Sequence, residues 1–259
     1  MHFKRVIFLY TLLLWSFAGY SQHYQLIAHR GGVVDSLRPE NSQEALQEAI
    51  RRGYDMIETD VRMTKDSFLV THHDASLKRT FGIDKPLSAF TWKELRALKG
   101  ANGYRILSFE QVLQQAKGHL QIMIDLKISG YHPEVFHQLI NLLKKYDLYK
   151  EALMIGTDES TDFFTGKIKL SCTRRQLEAN MQQPNYSPAN YYLFSGDISA
   201  ADATWAKEHH ILAIGVVNAW AFEKAGGMKQ AEEQAQRLKD AGLTWFQMDS
   251  MFESFFKSR

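Results

Sequence analysis

Hydrophobic positions along the chain form short continuous runs, separated by longer stretches of helical character. Continuous apolar runs are typical of parallel strands that helices cover on the outside. Eight runs of strand length lie at residues 25–29, 55–61, 120–127, 152–156, 168–172, 191–194, 211–217 and 244–248. Helices are predicted over 42–52, from Pro133 onward and over 228–241, with Gly53 and Gly242 as terminators. This alternation predicts an α/β fold, a TIM-type (β/α)8 barrel whose site lies at the C-terminal ends of its strands.

One further strand candidate, residues 67–72, interrupts the alternation. Only residues 62–66 separate it from the preceding strand, which is too few for a crossover helix. We therefore predict that the second strand passes the barrel rim, turns at residues 64–66 and returns as a hairpin. The following segment, 75–118, contains a capping box from Thr91 to Glu94 and a second helix start near Ser108. It predicts a small helical insertion that caps the barrel mouth.

The first 21 residues have the pattern of a secretory signal peptide. Lys4 and Arg5 precede an apolar run over 6–18, and Gly19 and Ser21 supply small residues before a cleavage point. We therefore expect export, to the periplasm or the medium, and an uncleaved anchor is the alternative. The remaining residues, 22–259, have the length of one barrel domain.

Charge and cysteine content exclude several classes of protein. Without Lys4 and Arg5, 29 of the 31 basic residues remain, against 29 acidic residues. A chain with no net charge and no basic stripe is not expected to bind nucleic acid or an anionic membrane. Beyond residue 21 we expect no stable membrane span, because no run is long and apolar enough. The single cysteine, Cys172, cannot form an internal disulfide, so we expect it to be a small core residue.

Charged and imidazole side chains end three consecutive predicted strands, and the hairpin returns one more imidazole to the same rim. The candidate site residues are His29, Arg30, Glu58, Asp60, His73, Asp125 and Lys127. Alternation along the second strand places Glu58 and Asp60 on one face. Alone, Glu58 and Asp60 would indicate an ion-paired polar face of the strand. With a third carboxylate beside them, a hard divalent cation relieves the repulsion, and oxygen ligands suit Mg²⁺ or Ca²⁺.

The two histidines are better suited to proton transfer than to metal ligation. A general acid and a general base on opposite sides of a phosphorus atom, with a cation and two basic side chains on its oxygens, indicate phosphodiester cleavage. His72 and His73 are adjacent in the returning strand and point in opposite directions, so only one of them can face the site. We interpret the turn Pro39-Glu40-Asn41-Ser42 as a structural helix start.

Several motifs together resemble the glycerophosphodiester phosphodiesterase family, within the phospholipase C-like phosphodiesterase superfamily. They are AHRGG at 28–32, PENS at 39–42, YDMIETDVRMTKD at 54–66 and HHDASLKRTFG at 72–82. RILSFEQVL, IMIDLK and WFQMDS add weaker support. The resemblance implies a TIM barrel and metal-dependent hydrolysis of a small glycerophosphodiester to glycerol 3-phosphate and an alcohol.

The resemblance also implies roles for individual residues. It makes His29 and His73 the acid–base pair, with His73 chosen because Asp74 follows it as in the family motif. The same comparison assigns one divalent cation to the carboxylates of Glu58, Asp60 and Asp125, and substrate phosphate to Arg30 and Lys127.

Two departures from the family pattern keep alternatives open. Asp125 stands where the family commonly has Glu, and Asp-x-Lys resembles sphingomyelinase D-like phospholipases that act on lysolipids and stop at a cyclic phosphate. Gly215-Val216-Val217-Asn218 stands where the family has a motif that begins with Trp, so an aromatic wall of the substrate pocket is either missing or replaced by Trp220. A barrel that binds phosphorylated head groups without catalysis is the other alternative.

Overall fold

The computed structural model describes residues 23–222 and 226–257. Its strands are β1 Gln25–Ala28, β2 Met56–Met63, β3 Leu69–Thr71, β4 Leu107–Ser108, β5 Gln121–Leu126, β6 Leu153–Ile155, β7 Lys169–Cys172, β8 Tyr191–Ser195, β9 Leu212–Val217 and β10 Trp245–Met248. Its α-helices are α1 Gln43–Arg52, α2 Lys78–Phe81, α3 Trp92–Leu95, α4 Phe109–Ala116, α5 Pro133–Lys145, α6 Asp158–Phe164, α7 Arg174–Asn180, α8 Ala200–Glu208 and α9 Gly227–Asp240. Short 3₁₀ turns cover His29–Gly31, Leu87–Ala89, Ala101–Gly103, Pro188–Asn190, Ala219–Ala221 and Ser250–Phe255.

Eight parallel strands close into a barrel. The order β1-β10-β9-β8-β7-β6-β5-β2 is closed by pairing of β1 with β2, where Ile27 lies opposite Met56. The predicted TIM-type barrel is therefore confirmed, and all eight predicted strands are present with bounds shifted by one or two residues. The predicted signal segment, 1–21, lies outside the described residues. None of the helices in the described part of the chain combines the length and apolarity needed to cross a bilayer.

Local signals explain where the helices begin and end. The Ser42 side chain accepts a hydrogen bond from Ala45 N–H and caps α1, and Gly53 ends that helix in the left-handed conformation. Pro133 occupies the first turn of α5, where its missing N–H costs nothing. The capping box from Thr91 to Glu94 starts α3. These predictions are confirmed.

The predicted hairpin is present, but the insertion ends earlier than predicted. β3 pairs antiparallel with the end of β2, and β4 pairs with β3. A separate small core holds this region together: Val70, Leu77, Leu87, Leu95, Tyr104 and Ile106. Helix α4 does not belong to it, because Phe109, Val112 and Leu113 pack into the main core between sheet and helices. Assigning 108–118 to the cap was therefore wrong, and α4 is a helix of the barrel's outer layer.

An apolar layer fills the barrel below the polar rim. Its fully buried members are Ile27, Met56, Met123, Leu153, Tyr192 and Ile214. Because side chains alternate along a strand, the inward positions that follow Met56 are Glu58 and Asp60, and the one that follows Met123 is Asp125. The three predicted carboxylates therefore lie directly above this apolar layer.

Candidate active site

Three carboxylates meet inside the C-terminal end of the barrel. One oxygen from each of Glu58, Asp60 and Asp125 lies within 4.8 Å of the others. The register of the strands explains why these oxygens are close, because Asp60 on β2 is directly opposite Asp125 on β5. Burial, followed by the charges of Asp60 and Asp125, raises the pKa of Glu58 well above its ordinary value. Burial also raises the pKa of Asp125, although the neighbouring Lys127 opposes that rise.

The donor set fits a hard divalent cation. Glu58 Oε1 is buried and has no hydrogen-bond partner among the described residues, whereas Oε2 accepts the Arg30 backbone N–H at 2.8 Å. Lys127 Nζ lies 2.5 Å from Asp125 Oδ2 and 3.6 Å from Asp60 Oδ1. One ammonium cannot neutralise three clustered carboxylates, of which Glu58 and Asp60 are buried and Asp125 is half-buried. An unpartnered buried oxygen is also expensive. Oxygen donors at this spacing suit Mg²⁺ or Ca²⁺.

His29 is held from the far end of the chain. Its Nδ1 donates to Asp249 Oδ1 at 2.7 Å, which leaves Nε2 turned toward the carboxylates, 3.8 Å from Glu58 Oε2. Burial would raise the pKa of Asp249, but its hydrogen bond and charge interaction with His29 lower it below the ordinary value. A carboxylate on Nδ1 fixes the ring orientation and the tautomer with a free Nε2. Asp249 was not predicted, although the signal was available: it directly follows the last predicted strand, which a closed barrel places beside the first.

His73 faces the site, and its neighbour His72 does not. His73 Nδ1 donates to Asp74 Oδ1 at 2.8 Å, and its Nε2 accepts from Arg30 Nη2 at 3.2 Å. The His72 ring is buried near Phe81, in the insertion, and burial lowers its pKa. The predicted opposite orientation of the two rings is confirmed. Each of the two site histidines thus has a carboxylate on Nδ1, which leaves Nε2 as the acceptor nitrogen.

Arg62 holds the turn that carries His73, and the sequence did not single it out. Its Nη2 donates to the His73 carbonyl at 2.6 Å and its Nε to the His72 carbonyl at 3.0 Å. Another bond, from Nη1 at 3.3 Å, reaches the Lys127 carbonyl. One half-buried guanidinium therefore fixes the backbone of two predicted site residues that are far apart in the chain.

The PENS turn does more than start a helix. Glu40 accepts hydrogen bonds from Arg30 and from Arg79, and Arg79 in turn donates to Asp74 Oδ2 at 2.5 Å. The Asn41 amide donates to Asp60 Oδ2 at 2.9 Å. The purely structural interpretation of this turn was therefore incomplete. The signal available in the sequence was the acidic and amide side chains of Glu40 and Asn41. The N-cap explains Ser42 but not these two residues.

The glycines after His29-Arg30 let two backbones come close. Arg30 itself has a φ of 54°, in the left-handed region. At Gly32, φ is +142° and a Cβ would lie 2.2 Å from the Ala45 carbonyl oxygen. Only glycine fits there, because the first turn of α1 occupies that space. The close approach brings Glu40 and Asn41 against the site.

Trp220 does not replace the missing aromatic side chain inside the pocket. It is 73% exposed, in the turn after β9. Asn218 is buried and donates to Gln247 Oε1 at 3.0 Å. Trp220 therefore lies on the outer rim of the barrel mouth, which agrees with the alternative that the aromatic wall is missing from this segment.

Comparison with known proteins agrees with this architecture. The sequence profile of the glycerophosphoryl diester phosphodiesterase family matches residues 29–164, more than half of the chain, and the chain belongs to that family. The match contains all seven predicted site residues, whereas Asp249 lies outside it.

The chain is similar to curated proteins from bacteria and from human, and to solved structures. The glycerophosphodiester phosphodiesterase of Caldanaerobacter subterraneus is 31% identical over 51% of this chain and 57% of its own length. Human lysophospholipase D GDPD1 is 42% identical over 47% of this chain and 41% of its own. The chain thus spans about half the length of these curated relatives. An Oleispira antarctica phosphodiesterase, solved with the product sn-glycerol-3-phosphate, superposes with a TM-score of 0.70 at 19% identity, covering 92% of this chain and 99% of that one.

Proposed function

We propose that this protein hydrolyses glycerophosphodiesters to glycerol 3-phosphate and an alcohol, with a divalent cation and two histidines. One observation carries the proposal: a cluster of three carboxylates, two of them buried, lies beside two imidazoles, each held by a carboxylate on Nδ1 with Nε2 toward the site. Membership of the family and the product named for the Oleispira structure support it.

The two imidazoles supply a base and an acid. One Nε2 takes the proton of the attacking hydroxyl as the hydroxyl oxygen bonds to phosphorus. The other Nε2 gives a proton to the leaving oxygen as the bond between that oxygen and phosphorus breaks. The carboxylates of Asp249 and Asp74 stabilise whichever ring is positively charged. Arg30 Nη2 donates to Nε2 of His73, so in this arrangement that Nε2 is an acceptor, as a base requires.

Glu58, Asp60 and Asp125 would hold the cation, Mg²⁺ or Ca²⁺. When bound, it supplies positive charge that stabilises the extra negative charge on phosphate in the transition state. Lys127 is ion-paired with Asp125 and Asp60, and Arg30 is ion-paired with Glu40. The protein therefore orients these two basic side chains before substrate arrives. Both can donate to the non-bridging phosphate oxygens.

A second candidate is a phospholipase D-like reaction on lysolipids that stops at the cyclic phosphate. The curated relatives that are named lysophospholipase D favour it, as does the Asp125-x-Lys127 pair. Both candidates use the same groups, and they differ in whether water then opens the cyclic phosphate to linear glycerol 3-phosphate.

Phosphorus NMR of the products distinguishes the two candidates. We expect glycerophosphocholine to give a linear glycerol 3-phosphate signal with Mg²⁺ or Ca²⁺ and no reaction in EDTA. A cyclic ester that persists while lysophosphatidylcholine is consumed would establish the second candidate. Full turnover in excess EDTA would refute the proposed cation.

Export remains part of the proposal and rests on residues 1–21 alone. The basic start, apolar run and small residues support cleavage after residue 21. N-terminal sequencing of protein recovered from the periplasm or medium of an expressing bacterium should begin at residue 22. Recovery of the full-length chain in the membrane fraction would favour an uncleaved anchor instead.

A further inference from the structure

Five side chains at the barrel mouth form a closed ring of hydrogen bonds that includes His73. His73 Nδ1 donates to Asp74 Oδ1 at 2.8 Å, and Asp74 Oδ2 accepts from Arg79 Nε at 2.5 Å. Arg79 Nη2 donates to Glu40 Oε1, and Glu40 Oε2 accepts from Arg30 Nη1 at 2.7 Å. Arg30 Nη2 closes the ring on His73 Nε2 at 3.2 Å. One network therefore holds both nitrogens of the imidazole.

Arg79 is the member of the ring that the small insertion supplies. It lies on α2, and the preceding Leu77 is fully buried in the insertion's own core, which fixes the start of that helix. Among the side chains of 75–107 that the structure describes, only that of Arg79 hydrogen-bonds to another member of the ring. The Arg79 side chain is 53% exposed, whereas those of the other four members are between 16% and 30% exposed. Ion pairs this exposed add little to stability, so two such bonds from Arg79 indicate a role in orientation.

The ring has one weak bond, and it lies at the proposed base. The acceptor in each of the other four bonds is a carboxylate, and bonds to an ionised acceptor are stronger than bonds to a neutral one. The bond from Arg30 to His73 is the longest of the five, and its acceptor is a ring nitrogen. A phosphate oxygen is a better acceptor for Arg30 than this nitrogen. A bound phosphodiester would therefore open the ring at this bond and leave His73 Nε2 able to take a proton.

Arg79 keeps both sides of the opened ring in place. One atom from each of Glu40, His73 and Asp74 lies within 4.8 Å of the others, so without the Arg79 cation two carboxylates would repel each other beside the imidazole. The hydrogen bond from Arg79 is the largest cause that lowers the pKa of Asp74, so Asp74 remains a carboxylate. A carboxylate on Nδ1 fixes the orientation and the tautomer of the His73 ring.

We propose that Arg79 is a positioning residue for both His73 and Arg30, and that the insertion places it there. The proposal rests on the proposed phosphodiesterase function and adds a residue that acts without touching substrate. Through Asp74, Arg79 orients the proposed base, which affects kcat. Through Glu40, it orients the Arg30 guanidinium that receives the phosphate, which affects KM.

Turnover of glycerophosphocholine with Mg²⁺ or Ca²⁺ tests both paths. Arg79→Met removes the two hydrogen bonds at similar side-chain length, and it should lower kcat at least tenfold and raise KM about threefold. Arg79→Lys keeps the positive charge and should lower kcat less than threefold. Arg51→Met is the matched control, because Arg51 is an exposed arginine on α1 that is paired with Glu48. Its kcat and KM should stay within twofold of the parent. An unchanged kcat in Arg79→Met, or no recovery with Lys, would overturn the proposal.

A second substitution separates positioning from a purely structural role. Asp74→Ala breaks the path from Arg79 to His73 and leaves the path through Glu40. In that background Arg79→Met should lower kcat by less than about twofold further, while KM should still rise about threefold. A further tenfold loss of kcat would show that Arg79 does not act through Asp74, and would overturn the proposal.

Nitrogen NMR of His73 gives a readout that needs no turnover. At a pH where the ring is neutral, the ¹⁵N-labelled parent should show His73 with its proton on Nδ1, assigned by comparison with His73→Asn. Arg79→Met should show both tautomers, and Arg51→Met should match the parent. A His73 spectrum unchanged by Arg79→Met would overturn the proposal. If the parent hydrolyses neither glycerophosphocholine nor lysophosphatidylcholine, the phosphodiesterase function fails, while the His73 spectrum still decides whether Arg79 positions the ring.

Discussion

Replacing Glu58 by Gln should stabilise the cation-free protein and remove its stabilisation by cations. Glu58 is buried with two other carboxylates within 4.8 Å. Two unit charges at that distance repel by about 3.5 kcal/mol at an effective dielectric constant of about 20. Protonation and the nearby Lys127 reduce the gain from removing the charge, so we expect about 2 kcal/mol. The Gln oxygen can still accept the Arg30 N–H, which keeps the local fold.

Thermal unfolding with and without cation measures both effects. A gain of about 2 kcal/mol corresponds to a rise in Tm of roughly 4–8 °C for a domain of this size. A cation at about 100 times its Kd should add about 2.7 kcal/mol to the parent protein. The Glu58→Gln variant should show a higher Tm in EDTA and little response to Mg²⁺ or Ca²⁺.

A surface variant provides the control for that experiment. Glu233→Gln removes an exposed carboxylate on α9, and its Tm should respond to the cation as the parent does. A Glu58→Gln protein that is destabilised in EDTA, or whose Tm rises with cation as much as that of the parent, would refute the reasoning about the carboxylate cluster.

Three further predictions concern the histidines, their carboxylate partner and pH. His29→Ala and His73→Ala should each lose most turnover of glycerophosphocholine while keeping the parent Tm within a few degrees; near-normal kcat in either removes that histidine from the acid–base pair. Asp249→Asn should lower kcat by about 10²-fold or more, because the amide no longer favours the tautomer with a free Nε2; an unchanged kcat would show that Asp249 is not needed to orient His29. The raised pKa of Glu58 means that its folded state binds the proton more tightly, so its contribution to stability is full below about pH 4.3 and is lost as pH rises through the higher folded pKa. In EDTA the stability gap between Glu58→Gln and the parent, followed by urea unfolding, should therefore widen as pH rises; a constant gap would contradict a raised pKa.

Much of the fold was predictable because its signals are local. Continuous apolar runs indicated the eight barrel strands, and Ser42, Gly53 and Pro133 marked helix ends with side-chain chemistry that acts within a few residues. The carboxylate cluster was predictable for a related reason: alternation places Glu58 and Asp60 on one face whatever the rest of the chain does.

The features that were not predicted depend on contacts between parts of the chain that are distant in sequence. Asp249 lies 220 residues from His29, and only the pairing of β10 with β1 brings them together. The local sequence of helix α4 resembles that of the cap helices before it. Only its packing into the main core shows that it belongs to the outer layer of the barrel. Glu40 was missed because its whole motif was attributed to the helix cap.

Anomalous diffraction from crystals soaked in Mn²⁺ or Ca²⁺ would show whether Glu58, Asp60 and Asp125 share one hard cation beside the two histidines. We expect a single strong peak within about 2.0–2.6 Å of an oxygen from each carboxylate. Crystals that diffract well and show no peak there, or whose peak lies on other residues, would contradict it.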